Sequence, residues 1–167
     1  MTLPGKLAAQ RVPVGIAGDY KPDLVLLPNG ELLLVMFIPI TNANGTYQEN
    51  MILYRSPDGG ETWGARETLP LLGREPYFSI LGDGTLFITA SFVVEDFRNI
   101  QGYAYAIVYR STNGGITWST QPIYAEDVPG APAKSVTRTS RNILELNDAL
   151  RAPRPPVPRR PEMSSTP

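Results

Sequence analysis

The amino-acid sequence predicts an all-β chain assembled from repeated four-stranded antiparallel units, and three observations carry that prediction. Residues Ser56-Pro57-Asp58-Gly59-Gly60-Glu61-Thr62-Trp63 return as Ser111-Thr112-Asn113-Gly114-Gly115-Ile116-Thr117-Trp118, each copy after an apolar run ending in Tyr-Arg. A second pattern keeps nearly the same step, since Pro22-Asp23-Leu24-Val25-Leu26-Leu27-Pro28-Asn29-Gly30-Glu31-Leu32 parallels Pro76-Tyr77-Phe78-Ser79-Ile80-Leu81-Gly82-Asp83-Gly84-Thr85-Leu86. Between these turns lie short runs rich in β-branched and aromatic residues, with no long 3.6-residue periodicity, so helix is expected to be close to absent.

In the first unit, strands are expected near 23–27, 31–37, 51–55 and 65–69. Asn29-Gly30 joins the first pair, read as a type I′ turn with both central residues at positive φ. The eight-residue turn joins the third and fourth strands. There Ser56 and Asp58 can bond backbone groups one to three residues away, Gly59-Gly60 can take positive φ, and Thr62 and Trp63 start the next strand, where the indole covers the side of the unit. The second unit repeats this near 77–81, 85–92, 104–110 and 121–125, with Asp83-Gly84 as its hairpin. Asn113 stands where Asp58 stood. It keeps a short acceptor and loses the charge, so the turn should survive. Tyr103, Tyr105 and Tyr109 alternate along one strand and read as packing residues.

A four-stranded unit with a period of about 50 residues is the signature of a β-propeller. A third unit starts at Val136, and Arg141 to Leu150 offers a strand and a turn with Ala149 at the glycine position. From Arg151 the chain turns to Pro and Arg, which cannot supply ladder N–H groups and carry little apolar surface. The expected organisation is a partial propeller over 1–150, with blades 20–70 and 74–125 and an incomplete blade 135–150. A disordered Pro/Arg-rich tail follows over 151–167, either a plain unstructured end or a polyproline ligand of the SH3 type. Closed propellers have about four to eight blades, so uncovered blade faces predict self-association unless another chain completes the ring.

Composition removes several function classes. With 15 basic and 16 acidic residues the formal charge is −1, which leaves no global field for nucleic acid or an anionic membrane. The chain has no cysteine and no histidine. Disulfides, thiol nucleophiles, Ser-His-Asp relays and His- or Cys-ligated zinc are therefore excluded, and neither metal nor cofactor is expected. The first eleven residues lack the apolar block of a signal peptide, and nowhere do about 20 apolar residues run together as a membrane helix requires. No compartment follows from this.

The repeated pattern Ser/Thr-x-Asp-x-Gly-x-Thr-Trp resembles the Asp-box of sialidases and related BNR-repeat proteins. The resemblance spans residues 20–150 and implies a six-bladed propeller of four-stranded blades. It also implies that Ser56, Asp58, Gly60, Thr62 and Trp63, with Ser111, Asn113, Gly115, Thr117 and Trp118, are scaffold, because sugar binds on the opposite face. That face collects Tyr20 and Lys21, the loop 38–50, Arg74 and Glu75, the loop 94–103, and Arg138 and Arg141. In sialidases an Arg-Ile-Pro motif opens the first blade and its arginine grips the substrate carboxylate, a task suited to the planar guanidinium. Arg74-Glu75-Pro76 matches it with Glu for Ile, whereas Tyr20-Lys21-Pro22 matches at Pro alone. By the same resemblance Asp96, with Glu95 beside it, falls where the family places its general acid, and Arg98, Arg138 and Arg141 are further substrate-binding candidates. The family's tyrosine nucleophile comes from a late blade with no counterpart here.

Two functions follow from the resemblance. One is part of an exo-α-sialidase-type retaining glycosidase, acting on or binding terminal sialic-acid-like sugars and inactive as the isolated chain. The other is a non-catalytic Asp-box propeller that binds carbohydrate or protein.

Overall fold

The computed structural model describes residues 11–139 and 141–145. Eight strands form two four-stranded antiparallel sheets, each a simple meander. The first contains β1 Tyr20–Leu26, β2 Leu32–Thr41, β3 Tyr47–Ser56 and β4 Glu67–Leu72; the second contains β5 Arg74–Ile80, β6 Leu86–Phe92, β7 Tyr105–Ser111 and β8 Ser119–Ile123. Among the described residues the helical content is one 3-10 turn at Ala125–Asp127. The all-β expectation holds, as two blade-like sheets of a partial propeller. The turn expected at Asn147 to Ala149 and the tail expected to be disordered lie outside the described residues.

The middle strands of the first sheet, β2 and β3, bury apolar residues on both faces, while Leu24 and Leu26 of β1 stay exposed. Leu33, Val35, Met51, Leu53 and Leu69 pack against Phe78, Leu86, Ile88, Ile107 and Tyr109 of the second sheet, forming the main core. The alternate residues Leu34, Met36, Ile52 and Tyr54 form a second cluster with Val14, Ile38 and Trp63. Val14, from the segment ahead of β1, packs on this outer cluster. Asp19 ties this segment down: its carboxylate accepts from Arg66 Nη2 at 2.8 Å and from the Ile16 N–H at 3.1 Å. Burial pushes the Asp19 pKa up, but its bonds from Arg66 and Ile16 outweigh this and hold it below the ordinary value.

Gly73 alone joins the two sheets. It sits at φ +100°, and a Cβ there would lie 2.8 Å from Ser91 O, so both backbone angle and space demand glycine. Across the same junction the Phe78 N–H donates to Asp23 Oδ2 at 2.6 Å. Residues 139 and 141–143 lie beside β5 and β6. Thr89 Oγ1 donates to Arg141 O at 2.9 Å, Ser91 Oγ to Thr139 O at 3.0 Å, and the Ile143 N–H to Ser79 Oγ at 2.6 Å.

Both eight-residue turns close through the same bonds. Gly60 N and Gly115 N donate to Ser56 Oγ and Ser111 Oγ at 2.8 and 2.9 Å; Thr62 N and Thr117 N donate to Asp58 Oδ1 and Asn113 Oδ1 at 2.9 and 3.0 Å. The exchange of Asp for Asn reverses one bond. Thr62 Oγ1 donates to Asp58 Oδ2, whereas Asn113 Nδ2 donates to Thr117 Oγ1 at 2.8 Å.

Three local expectations are corrected. The hairpins at Asn29-Gly30 and Asp83-Gly84 are not type I′, because the glycines alone carry positive φ there, at 87° and 82°. Gly30 N donates to Leu27 O and Leu27 N to Glu31 O, a type I turn closed by glycine in the left-handed position. Pro28 fixes the φ that a type I turn wants at that point. Second, most of the expected loop 38–50 is strand, since β2 and β3 stay paired from Leu32↔Ser56 out to Thr41↔Tyr47. Pro39 takes a place in that ladder opposite Glu49. Third, Trp63 precedes its strand rather than starting it, and the strands after the two turns are displaced from expectation in opposite directions, β4 to Glu67–Leu72 and β8 to Ser119–Ile123.

Candidate ligand-binding site

The meander sends the starts of β1 and β5, the β2–β3 end and the β6–β7 loop to one end of the sheets, and the glycine turns to the other. At the turn end, Arg55 of the first sheet donates to Gly114 O and Gly115 O of the second, both at 3.0 Å. A cavity of about 310 Å³ there is lined by Leu27, Asn29, Arg55 and Asn113, among others. Of its polar groups Arg55 bridges the sheets, while Asn29 and Asn113 bond within their own turns.

The opposite end gathers ionisable groups around Arg74. This residue opens β5, where the strand is bulged between Arg74 and Tyr77. The bulge recurs in β1 between Tyr20 and Asp23. In both strands the residue before proline has positive φ, 49° at Lys21 and 53° at Glu75, a conformation that lysine and glutamate rarely adopt. Lys21 Nζ and Glu75 Oε1 meet at 2.6 Å. The hydrogen bond from Lys21 holds the Glu75 carboxyl below its ordinary pKa.

The Arg74 guanidinium lies over the Phe37 ring, 5.5 Å from its centroid. Its Nε is 3.5 Å from Glu49 Oε1 and 3.7 Å from Glu75 Oε1, and it makes no hydrogen bond. Arg74 lines two cavities. One, of about 280 Å³, it shares with Glu75, Ser91, Arg138 and Thr139; the other, of about 390 Å³, with Tyr47, Val93 and Glu95.

Asp96 is fully buried. Its Oδ1 accepts from Arg98 Nε at 2.8 Å, and its Oδ2 from Arg98 Nη2 at 2.6 Å and from the Glu49 N–H at 2.9 Å. Burial raises its pKa, yet these bonds outweigh burial and leave the carboxyl below its usual value. Arg98 also reaches Glu49 O at 2.6 Å and Asn50 Oδ1 at 3.2 Å, so it ties the β6–β7 loop to β3. Arg138 is exposed at the smaller cavity. Arg141 lies 5.9 Å from the Tyr77 ring centroid.

Two residues of this cluster were not singled out in the sequence, Tyr47 and Glu49. The Tyr47 hydroxyl donates to Glu49 Oε1 at 2.5 Å, while Glu49 Oε2 is buried and unpartnered. Burial pushes the Glu49 pKa up, and burial together with the bond to Glu49 takes Tyr47 up to about 12. The alternation Tyr47, Glu49, Met51 on one strand was the signal that could have found them. Of the other tyrosines, Tyr109 is buried and bonds Leu72 O at 2.8 Å, and Tyr105 packs against Phe92 and Tyr124, as expected of packing residues.

These features define an all-β, propeller-like pair of blades with a cluster of ionisable groups at one end. No protein-family model matches the chain. It is similar to a sialidase of Micromonospora viridifaciens, 30% identical over 148 residues, which takes in 75% of this chain and 22% of that protein. The likeness supports a sialidase-like relationship; the chain spans about a fifth of the length of the curated relative it matches.

Proposed function

We propose that this chain forms part of a sialidase-like glycoside-processing propeller, and that its site end binds the acid group of a terminal sialic-acid-like sugar through Arg74. The observation that carries this reading is the position of Arg74: its guanidinium borders two cavities, and its Nε has no hydrogen-bond partner. Its side chain is 37% exposed, and beyond the long ion pairs of Nε to Glu49 and Glu75 the planar guanidinium offers an incoming carboxylate a fork of donors. Arg138 stands across the smaller cavity as a second cation, and Glu95 on the wall of the larger one is a carboxylate within reach of a ligand. Asp96 as acid/base requires Arg98 to release it first.

That requirement favours the second reading, a binding module without hydrolysis. A general acid works best with a pKa raised toward neutrality, whereas Asp96 is held low by Arg98. Both readings use Arg74. A fluorogenic sialoside assay, run beside calorimetry with a non-hydrolysable sialoside, separates them. Binding without turnover supports the module, and turnover lost in Arg74→Ala supports the glycosidase. Sialoside binding that is absent, or unchanged in Arg74→Ala, overturns both.

A further inference from the structure

Lys21 and Glu75 hold equivalent places in the two units, each just before a proline and each at positive φ, 49° and 53°. Side chains other than glycine's rarely take such angles, and a following proline restricts the backbone further. Conformations of this kind persist where the surroundings impose them. Here they set two opposite charges from neighbouring sheets face to face, with Lys21 Nζ 2.6 Å from Glu75 Oε1. The same Oε1 lies 3.7 Å from Arg74 Nε. Glu75 also lines the 280 Å³ cavity, together with Arg74, Arg138, Ser91 and Thr139. The hydrogen bond from Lys21 outweighs burial, and the charges of Lys21, Arg74 and Arg138 add to it, so the Glu75 carboxyl stays ionised.

Three cations thus act on one carboxylate, and that carboxylate belongs to the chain itself. A ligand acid that reaches Arg74 through this cavity meets Glu75 as a like charge. We infer that Glu75 is a specificity-determining residue, an internal carboxylate that competes with the ligand's acid group for Arg74 and the neighbouring cations. The inference rests on the reading of Arg74 given above. Glu75 then sets how strongly the site prefers an acid over its neutral ester. Two like charges about 6 Å apart in water cost about threefold in affinity, and more where water is partly excluded.

The test compares a methyl α-thiosialoside, which resists hydrolysis, with its neutral carboxylate methyl ester, by titration calorimetry against wild type, Glu75→Gln, Lys21→Gln, Glu61→Gln and Arg74→Ala. Glu75→Gln should tighten the acid about threefold to tenfold and leave the ester within about twofold. Lys21→Gln removes a cation and leaves Glu75 to Arg74, so it should weaken the acid about threefold or more. Both substitutions break one ion pair, and a merely structural role for that pair would move the acid affinity the same way in both. Glu61→Gln makes the same charge change in the turn at the other end of the sheet, and should leave the acid within about twofold. Acid binding that Glu75→Gln leaves unchanged or weakens, an equal gain for the ester or in Glu61→Gln, or shifts in one direction for Glu75→Gln and Lys21→Gln overturn the competing carboxylate alone, provided Arg74→Ala weakens the acid. Acid binding absent from both wild type and Glu75→Gln, or unchanged in Arg74→Ala, overturns the reading of Arg74 and the inference with it. Acid binding by Glu75→Gln alone supports the competition and marks wild type as closed to the acid.

Discussion

The two sheets follow one sequence plan, yet they agree at one end and diverge at the other. At the turn end, Ser56 to Trp63 and Ser111 to Trp118 close through matching bonds even though one uses aspartate and the other asparagine. At the site end, Tyr20-Lys21 faces Arg74-Glu75, and a short polar turn in one sheet corresponds to a twelve-residue connection, 93–104, in the other. Turn geometry tolerates few substitutions because positive φ and short side-chain acceptors are required there. Loops at the far end carry no such demand and are free to take on chemistry. A repeat therefore marks its candidate site where its copies differ.

The largest effect expected from that difference concerns the buried pair Asp96 and Arg98, which has no counterpart in the first sheet's polar turn. Arg98→Ala strips a fully buried carboxylate of its guanidinium partner and leaves it two backbone donors, the Glu49 N–H at 2.9 Å and the residue-98 N–H at 3.0 Å. Breaking such a pair should cost about 3 kcal/mol. Asn42→Ala, which removes a single bond to Thr46 Oγ1 at 2.9 Å, should cost about 1 kcal/mol or less. Urea midpoints at unchanged m-value would check both. A loss for Arg98→Ala no greater than that for Asn42→Ala would mean that the second connection is not anchored as described.

The sequence announced this architecture more clearly than this site. Two turns with glycines at fixed offsets identify four-stranded units because few other backbones need those residues in that order. The strands expected at 85–92 and 104–110 fall within a residue or two of β6 and β7. Pairing between distant residues leaves no such local mark. Nothing near Glu49 in the sequence indicates that its backbone N–H will meet Asp96, 47 residues away. Arg74 was singled out by the resemblance of Arg74-Glu75-Pro76 to an Arg-Ile-Pro motif rather than by any local pattern. Residues 11–19 were not, since a segment packed against a sheet has neither period nor turn, and Asp19 acquires meaning once Arg66 lies beside it.

A smaller effect should separate the two Tyr-Arg arginines. Arg55 clasps two carbonyls of the neighbouring turn, while Arg110, its equivalent one unit on, is exposed. Arg55→Ala should lower stability by roughly 1 to 3 kcal/mol, the range for bonds made by a charged donor. Arg110→Ala should change it by less than about 0.5 kcal/mol, as for most surface substitutions. Thermal melts of the two variants, compared at equal concentration, decide the matter. Equal losses would mean that the stitch from Arg55 contributes no more than an ordinary surface side chain.

The smallest expected difference lies in the turns themselves and appears as pH dependence. The Asp58 carboxyl is lowered to about 2, first by the side-chain bond from Thr62 and then by the Thr62 N–H. Its folded pKa is below its unfolded value, so its contribution is fully present above about pH 4 and is lost as pH falls through about 2. Asn113 makes the equivalent bonds without a titrating group. Asp58→Asn should therefore flatten the acid limb of the stability curve between about pH 4 and pH 2, and Asn113→Asp should steepen it, with both variants close to wild type at pH 7. Urea unfolding across that range, taken as the difference from wild type at each pH, isolates this group from the other carboxylates. If Asp58→Asn leaves the slope unchanged, the charge is idle in the first turn. The two turns are then the same device in energy as well as in geometry.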